Sequence, residues 1–180
     1  MALVQDDVKR LMAYSSISQM GYILLGIASV QLLGVSGSMF HYLSHGMGKG
    51  ILFMVAGIII VQTNGTRSIS KLGGLARKMP ITATATLVGF MTILGVPPTS
   101  GFVSEFLIFL GSIKATVEPF ALDRLLLSIG AVASTAITAG YGLWTMKRIF
   151  FGPLLREIAG VSEAPLTMTV PLIVLGVVAI

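Results

Sequence analysis

Apolar residues along this chain come in long blocks separated by short polar connections. The blocks run from about Arg10 to Leu33, Ser38 to Gln62, Ile81 to Ile113, Leu125 to Met146, and from Pro165 to the last residue, Ile180. A membrane helix needs roughly 20 such residues. The pattern therefore predicts an all-α, polytopic transmembrane helix bundle of about five spans, forming a single transmembrane domain over residues 1–180. The third block differs from the others. Pro97 and Pro98 fall near its middle, and proline lacks an amide donor and clashes with the turn before it. We expect a discontinuous helix over 81–113, with halves Ile81 to Val96 and Ser100 to Ile113 joined by an unwound segment at membrane depth. Such backbone survives in a bilayer only where protein or a water-filled cavity satisfies its polar groups. The connection 63–80, with Gly65, Gly73, Gly74 and Pro80, reads as a loop. The last run, 165–180, reads as a truncated span, and the chain as a fragment with helices missing on both sides.

Composition narrows the class. The chain is 54% hydrophobic and 11% charged, whereas soluble domains carry about 25% charged residues. The net charge of +5 does not point to nucleic acid, because the basic residues lie in the connections. Counting the broken run as one crossing puts Lys9, Arg10, Arg67, Lys71, Arg77, Lys78, Lys147, Arg148 and Arg156 on one side, nine of the twelve Lys and Arg residues. Such asymmetry predicts that this side is cytoplasmic. The opposite connection, with Lys114, Glu118, Asp123 and Arg124, is neutral, and Glu157 and Glu163 follow Arg156 in the last loop. Tyr141 and Trp144 beside Lys147 and Arg148 read as an interfacial belt with basic anchors, and Ala131, Ala133, Ser134, Ala136, Ala139 and Gly140 as a surface for tight helix packing. Met1 to Asp7 lack the apolar core of a signal peptide. With no cysteine and two histidines, the chain excludes thiolate-ligated clusters and offers little to haem, so no cofactor is expected.

Three groups of residues carry candidate chemistry. Glu105 is the only ionisable residue between Ile81 and Ser112. A carboxyl group beside a helix break at membrane depth is expensive to ionise and must be paired or exchange its proton. Gly101 sits with Pro97 and Pro98 in the same break. His41, His45 and Lys49 are spaced i, i+4, i+8, which stacks them on one helix face at about 6 Å per step. Proton relays use such stepwise titratable groups, histidine exchanging its proton near neutrality. Gly46, Gly48 and Gly50 around Lys49 would let another helix or water approach. Ser15, Ser18 and Gln19 are too polar for a lipid-facing surface and act either as interhelical hydrogen bonds or as a lining for water; the sequence leaves both open. Gly46-Met-Gly-Lys49 lacks the spacing of a phosphate loop. Lysine is a poor ligand and no carboxylate completes a shell, so no metal site is expected. Asp6 and Asp7 fit a membrane surface better than a catalytic pair, Asn64-Gly65-Thr66 is an accidental glycosylation match, and no catalytic residue is assigned.

Three segments together, Asp7-Val-Lys-Arg-Leu-Met-Ala-Tyr-Ser-Ser-Ile-Ser-Gln-Met-Gly-Tyr22, Phe40-His-Tyr-Leu-Ser-His-Gly-Met-Gly-Lys49 and Gly95-Val-Pro-Pro-Thr-Ser-Gly-Phe-Val-Ser-Glu-Phe106, resemble the antiporter-like membrane subunits of respiratory complex I. Related subunits occur in membrane-bound hydrogenases and Mrp-type sodium/proton antiporters. The resemblance covers about residues 5 to 155. It implies a core of inverted five-helix repeats, each with a broken helix carrying a titratable residue, of which this chain is the second. It also implies that Glu105 is the acid or base of that broken helix and that His41, His45 and Lys49 belong to the hydrophilic axis. A glutamate at the break is like the subunit adjoining the distal one, and a double histidine like the distal subunit, so the subunit is not settled by the motifs.

The expected function is that of a proton-translocating, antiporter-like subunit of a complex I-like redox-driven pump. Protons would pass along His41, His45 and Lys49 to Glu105 in a multi-pass protein of the cell (inner or plasma) membrane. Its expected partners are the lipid bilayer, other membrane subunits of a redox complex, and protons or sodium, with no nucleic acid. Two alternatives use the same residues: a stand-alone or Mrp-type sodium/proton antiporter, and a structural membrane subunit.

Overall fold

A computed structural model describes residues 2–117, 120–155, 158 and 160–180. Glu118, Arg156 and Glu157, which the sequence places in connections, lie outside the described residues. The described chain forms six α-helices: α1 (Val8–Ala28), α2 (Leu32–Gln62), α3 (Pro80–Ile93), α4 (Ser100–Lys114), α5 (Leu122–Phe150) and α6 (Leu166–Ala179). No strand occurs among the described residues; one isolated bridge pairs Asp7 with Ser68. α1, α2 and α5 are each long and apolar enough to cross a membrane, and α3 and α6 are shorter apolar helices. At 1.5 Å per residue, the 31 residues of α2 extend about 46 Å. That exceeds a hydrocarbon layer of about 30 Å, so α2 must tilt or project.

Local signals set several helix ends. Asp7 caps α1 by accepting a hydrogen bond from the Arg10 amide at 3.0 Å, an N-terminal arrangement for which short oxygen side chains are favoured. Pro80 occupies the first turn of α3, where its missing amide costs nothing. Glu163, far along the chain, supplies the cap that Met79 cannot. Its carboxylate accepts from the Ile81 amide at 2.7 Å and from the Thr82 hydroxyl at 2.6 Å. α5 carries Asp123 in its first turn and Lys147 and Arg148 in its last, each favourable to the helix dipole.

α2 is the central element and packs against α1, α3, α4 and α6. Its N-terminus differs from the expectation: the helix begins at Leu32, and the stretch 34–37, which looked like a connection, lies inside it. The turn falls earlier, at Ser29–Gln31, where Val30 adopts a left-handed φ of 52°. The glycines are there for close approach. A β-carbon on Gly37 would lie 2.8 Å from Leu107 Cβ and 2.8 Å from the Ile108 amide nitrogen, and Gly111 of α4 meets the Gly34 backbone directly.

The polar connection 63–80 does more than span. Ile69, Leu72, Leu75 and Met79 turn inward and join the core formed with Val8, Leu11, Ile51, Val55, Ile149 and Phe150. Hydrogen bonds from the Val8 amide to Arg67 O (3.1 Å) and from the Ile69 amide to Asp6 O (2.6 Å) hold it to the N-terminal segment. The 3.8 Å ion pair of Arg148 with Asp6 brings the end of α5 to the same place. The N-terminus, the 63–80 connection and the end of α5 therefore share one end of the bundle.

Two expectations for α5 are corrected. Tyr141 is buried, and only Trp144 is exposed beside Arg148, whose guanidinium lies 4.6 Å from the indole centre. Ala133, Ala136 and Gly140 are exposed, and a β-carbon on Gly140 would meet nothing within 4 Å. Of the expected small-residue surface, Ser134 and Ala139 do pack, against Tyr22 and the core, and the rest of the buried face is built from Ser128, Thr138, Tyr141, Gly142 and Thr145.

Candidate functional site

The helix break comes first, because its backbone needs partners. α3 ends at Ile93, and its last four carbonyls have no partner within the helix. Each finds one. Phe90 O accepts from the Leu94 amide (2.8 Å), Met91 O from the Val96 amide (3.0 Å) and Thr92 O from the Gly95 amide (3.4 Å). Ile93 O accepts from Gln19 Nε2 of α1 at 3.0 Å. Thr99 closes the turn by donating its hydroxyl to Val96 O at 2.8 Å. Gly95 takes a φ of +59°, open to glycine at no steric cost. Pro97 and Pro98 themselves are exposed; their part is to stop the helix. Gly101 is buried, and a β-carbon there would collide with the Thr92 carbonyl. The glycine lets the second half-helix start against the end of the first.

Helix α2 presents its three titratable residues to the interior. His41 is 1% exposed, His45 7% and Lys49 6%. The two imidazoles have centres 6.0 Å apart. Lys49 turns toward α1, donating to Met12 O at 2.9 Å and to the Ser15 hydroxyl. One α1 turn on, Gln19 is fully buried, and its Oε1 lies 2.9 Å from His41 Nε2. The other His41 nitrogen, Nδ1, lies 2.9 Å from Ser104 Oγ on α4. The next residue is Glu105, 5% exposed. Its carboxyl rests against the Gly95 backbone with Gln19 beside it.

The structure thus gathers Lys49, Ser15, Gln19, His41 and Glu105 into one buried polar line across α1, α2 and α4. It does not bring Lys49 into an ion pair with Glu105; among the described residues the one ion pair is Arg148 with Asp6. Ser18 stands apart, exposed in the cleft beside α5 and donating to Ser15 O at 2.8 Å. Of the glycines around Lys49, Gly48 packs closely on Thr92 and Ile93, Gly50 reaches only Leu175, and Gly46 meets nothing within 4 Å. Among the described residues, His45 Nδ1 and Glu105 Oε1 are buried with no hydrogen-bonding partner. Among the described residues no group of three His, Asp or Glu side chains could hold a metal ion.

Sequence reasoning missed Ser104, although it adjoins Glu105, because only the α2–α4 packing shows that it faces His41. It also missed Tyr22, whose hydroxyl is 2.7 Å from Ser134 of α5 and whose ring meets His41 edge-on at 6.4 Å. Ser44 and Ser100 form a second cross-link between α2 and the broken helix, at 3.0 Å. Isolated serines in apolar helices carry no distinguishing signal.

Comparison with known proteins identifies the family of the chain. Residues 1–149 match the family described as NADH:quinone oxidoreductase/Mrp antiporter, TM. The chain is 45% identical over 163 residues to F(420)H(2) dehydrogenase subunit M of Methanosarcina mazei, covering 91% of this chain and 31% of that protein. It is 40% identical over 158 residues to NADH-quinone oxidoreductase subunit M of Rhodobacter capsulatus, covering 87% and 29%. In three dimensions it is similar to a chain of the membrane-bound sulfane sulfur reductase, an archaeal respiratory membrane complex. That match has a TM-score of 0.89 and 33% identity, covering 99% of this chain and 28% of that one. The chain spans about a third of the length of these relatives. The family match over residues 1–149, supported by relatives 40–45% identical over most of the chain, makes this multi-pass membrane protein a member of the NADH:quinone oxidoreductase/Mrp antiporter transmembrane family.

Proposed function

We propose that the chain forms the proton path of an antiporter-like subunit in a complex I-like, redox-driven pump. Lys49, His45 and His41 hand protons toward Glu105, and Glu105 exchanges them toward one membrane face. The observation that carries this reading is His41. Buried between three helices, it is joined at one ring nitrogen to Gln19 and at the other to Ser104, the residue before Glu105. Among the described residues, Lys49 and Glu105 are each buried without an opposite charge to pair with, so each is costly to hold ionised in a dry interior. The unpartnered His45 Nδ1 and Glu105 Oε1 are where water would enter the line. A moving charge in a neighbouring subunit would then shift these groups in turn, which is how electron transfer elsewhere can drive proton transfer here. The other membrane subunits, the bilayer of the cell or inner membrane, and the redox chemistry of those partners belong to this proposal, with no cofactor on this chain.

Sodium is the rival cargo, because a carboxylate beside unwound backbone can bind it. The complete complex, reconstituted in vesicles with a pH-sensitive dye, should acidify or alkalinise the lumen in sodium-free medium on addition of its electron donor. A strict requirement for sodium would favour the exchanger. Pumping that persists at the normal rate per complex after replacement of His41, His45 and Lys49 would reduce these residues to structural hydrogen bonds.

A further inference from the structure

We infer that Gln19 fixes the tautomer of His41, so that His41 takes up and releases its proton only at Nδ1, on the side facing α4. The inference refines the proton path proposed above and rests on that reading for its functional meaning.

Gln19 is fully buried and both ends of its amide are engaged. At one end, 3.0 Å away, is the carbonyl of Ile93, released by the helix break and able only to accept. The nitrogen end of the amide must face it. The oxygen end therefore faces His41 Nε2 at 2.9 Å, and an amide oxygen can only accept. His41 Nε2 must carry a hydrogen whether the ring is neutral or charged. The reverse orientation would set two oxygens against each other at Ile93 in a buried site, with the cost of two unsatisfied groups.

With Nε2 always protonated, Nδ1 is the one ring position left for exchange. It faces Ser104 Oγ at 2.9 Å, and that hydroxyl also lies 2.8 Å from Gly101 O. Ser104 has one hydrogen and two acceptors. While His41 is neutral the hydroxyl donates to Nδ1; when Nδ1 is protonated its N–H donates to Ser104 Oγ, and the hydroxyl turns to Gly101 O. Both charge states are fully hydrogen-bonded after one rotation. For a proton to pass on toward Glu105, the N–H bond at Nδ1 breaks as a new O–H bond forms at Ser104 Oγ, and the serine gives up its original hydrogen to water or to the ionised Glu105 carboxylate.

The consequence concerns the route. Gln19 joins His41 to α1 structurally but cannot conduct, since its amide would have to release and regain hydrogens to do so. Protons from Lys49 must reach His41 along α2, past His45, and not through Ser15 and Gln19. The other ionisable groups around the ring are Tyr22 of α1, His45 and Lys49 of α2 and Glu105 of α4.

The test is ¹⁵N solid-state NMR of the complete complex in lipid, labelled at histidine. The His41 signal is assigned by its loss in His41→Gln, and the spectrum is recorded at a pH where the ring is neutral. The expected result is a proton on Nε2 and a bare Nδ1. A proton on Nδ1, or a mixture of tautomers, overturns the inference. In Gln19→Leu the preference should vanish and both forms appear, while Gln19→Glu, protonated so that its O–H donates to Ile93 O and its carbonyl oxygen accepts from Nε2, should restore it. Persistence of a single Nε2–H form in Gln19→Leu would also overturn the role of Gln19. Because the spectrum reads the ring and not transport, failure of the tautomer leaves the path standing. Transport that survives loss of Glu105 titration would remove the path and leave the tautomer.

Discussion

Gly95 and Glu105 are in direct contact across the helix break: a β-carbon placed on Gly95 would lie 3.0 Å from the Glu105 carboxyl carbon and closer still to one of its oxygens. Gly95 also needs its left-handed φ of +59°, which costs other residues about 1–2 kcal/mol. Gly95→Ala should lower the stability of the complex by at least that amount and slow proton transfer by moving the carboxyl. Thermal unfolding in detergent and pumping per complex are the two readouts. An unchanged midpoint would contradict the contact.

Gly101→Ala sets a methyl group against the Thr92 carbonyl. Backbone cannot swing away as a side chain can, so the two half-helices must separate, at a cost of about 1–3 kcal/mol. Gly46 is the control. With nothing near its absent β-carbon, Gly46→Ala should gain up to about 1 kcal/mol from better helix propensity. Comparison of the two variants by the same unfolding assay checks both.

Removing the carboxylate in Glu163→Ala should cost about 0.5–2 kcal/mol, the range for loss of an N-terminal cap. The partners at stake are the Ile81 amide and the Thr82 hydroxyl. In a double-mutant cycle Thr82→Val should cost much less in the Glu163→Ala background than alone. Strict additivity would show that the pair does not interact.

Asp6 supplies a pH dependence. Burial works to raise its pKa, but hydrogen bonds from Ser68 and Ser70 and the Arg148 charge outweigh it and hold the carboxyl below its ordinary value of 3.8. A depressed folded value stabilises the folded state above the unfolded value. That contribution is lost as the pH falls toward the folded value. The side chain is 50% exposed, so solvent and salt reduce the effect. Unfolding midpoints of the unmodified protein and Asp6→Asn should differ at pH 6 and converge below about pH 3.8. A gap that widens on acidification would reverse the sign.

How far the sequence could be read is clear from particular residues. The apolar blocks marked six helices well, because membrane length and the two prolines leave few choices. Gly34 and Gly37 misled, since glycine signals both a turn and a close contact, and only the crossing of α2 with α4 decides between them. The row of His41, His45 and Lys49 was legible from its spacing alone. The partners of that row were not: Ser104 and Gln19 lie 63 and 22 residues from His41 in the chain, and no periodicity within one helix reports what faces it. Glu163 was unreadable as a cap for the same reason.

The central claim is that Glu105 releases and regains a proton during turnover. The most direct measurement is proton uptake by vesicles carrying the complete complex with Glu105→Gln, set against electron flux and against Glu105→Asp. Glutamine keeps the size and polarity of the side chain and cannot titrate. The account predicts an assembled complex whose pumping is lost with Glu105→Gln and at least partly retained with Glu105→Asp. Normal pumping per electron with Glu105→Gln would contradict it.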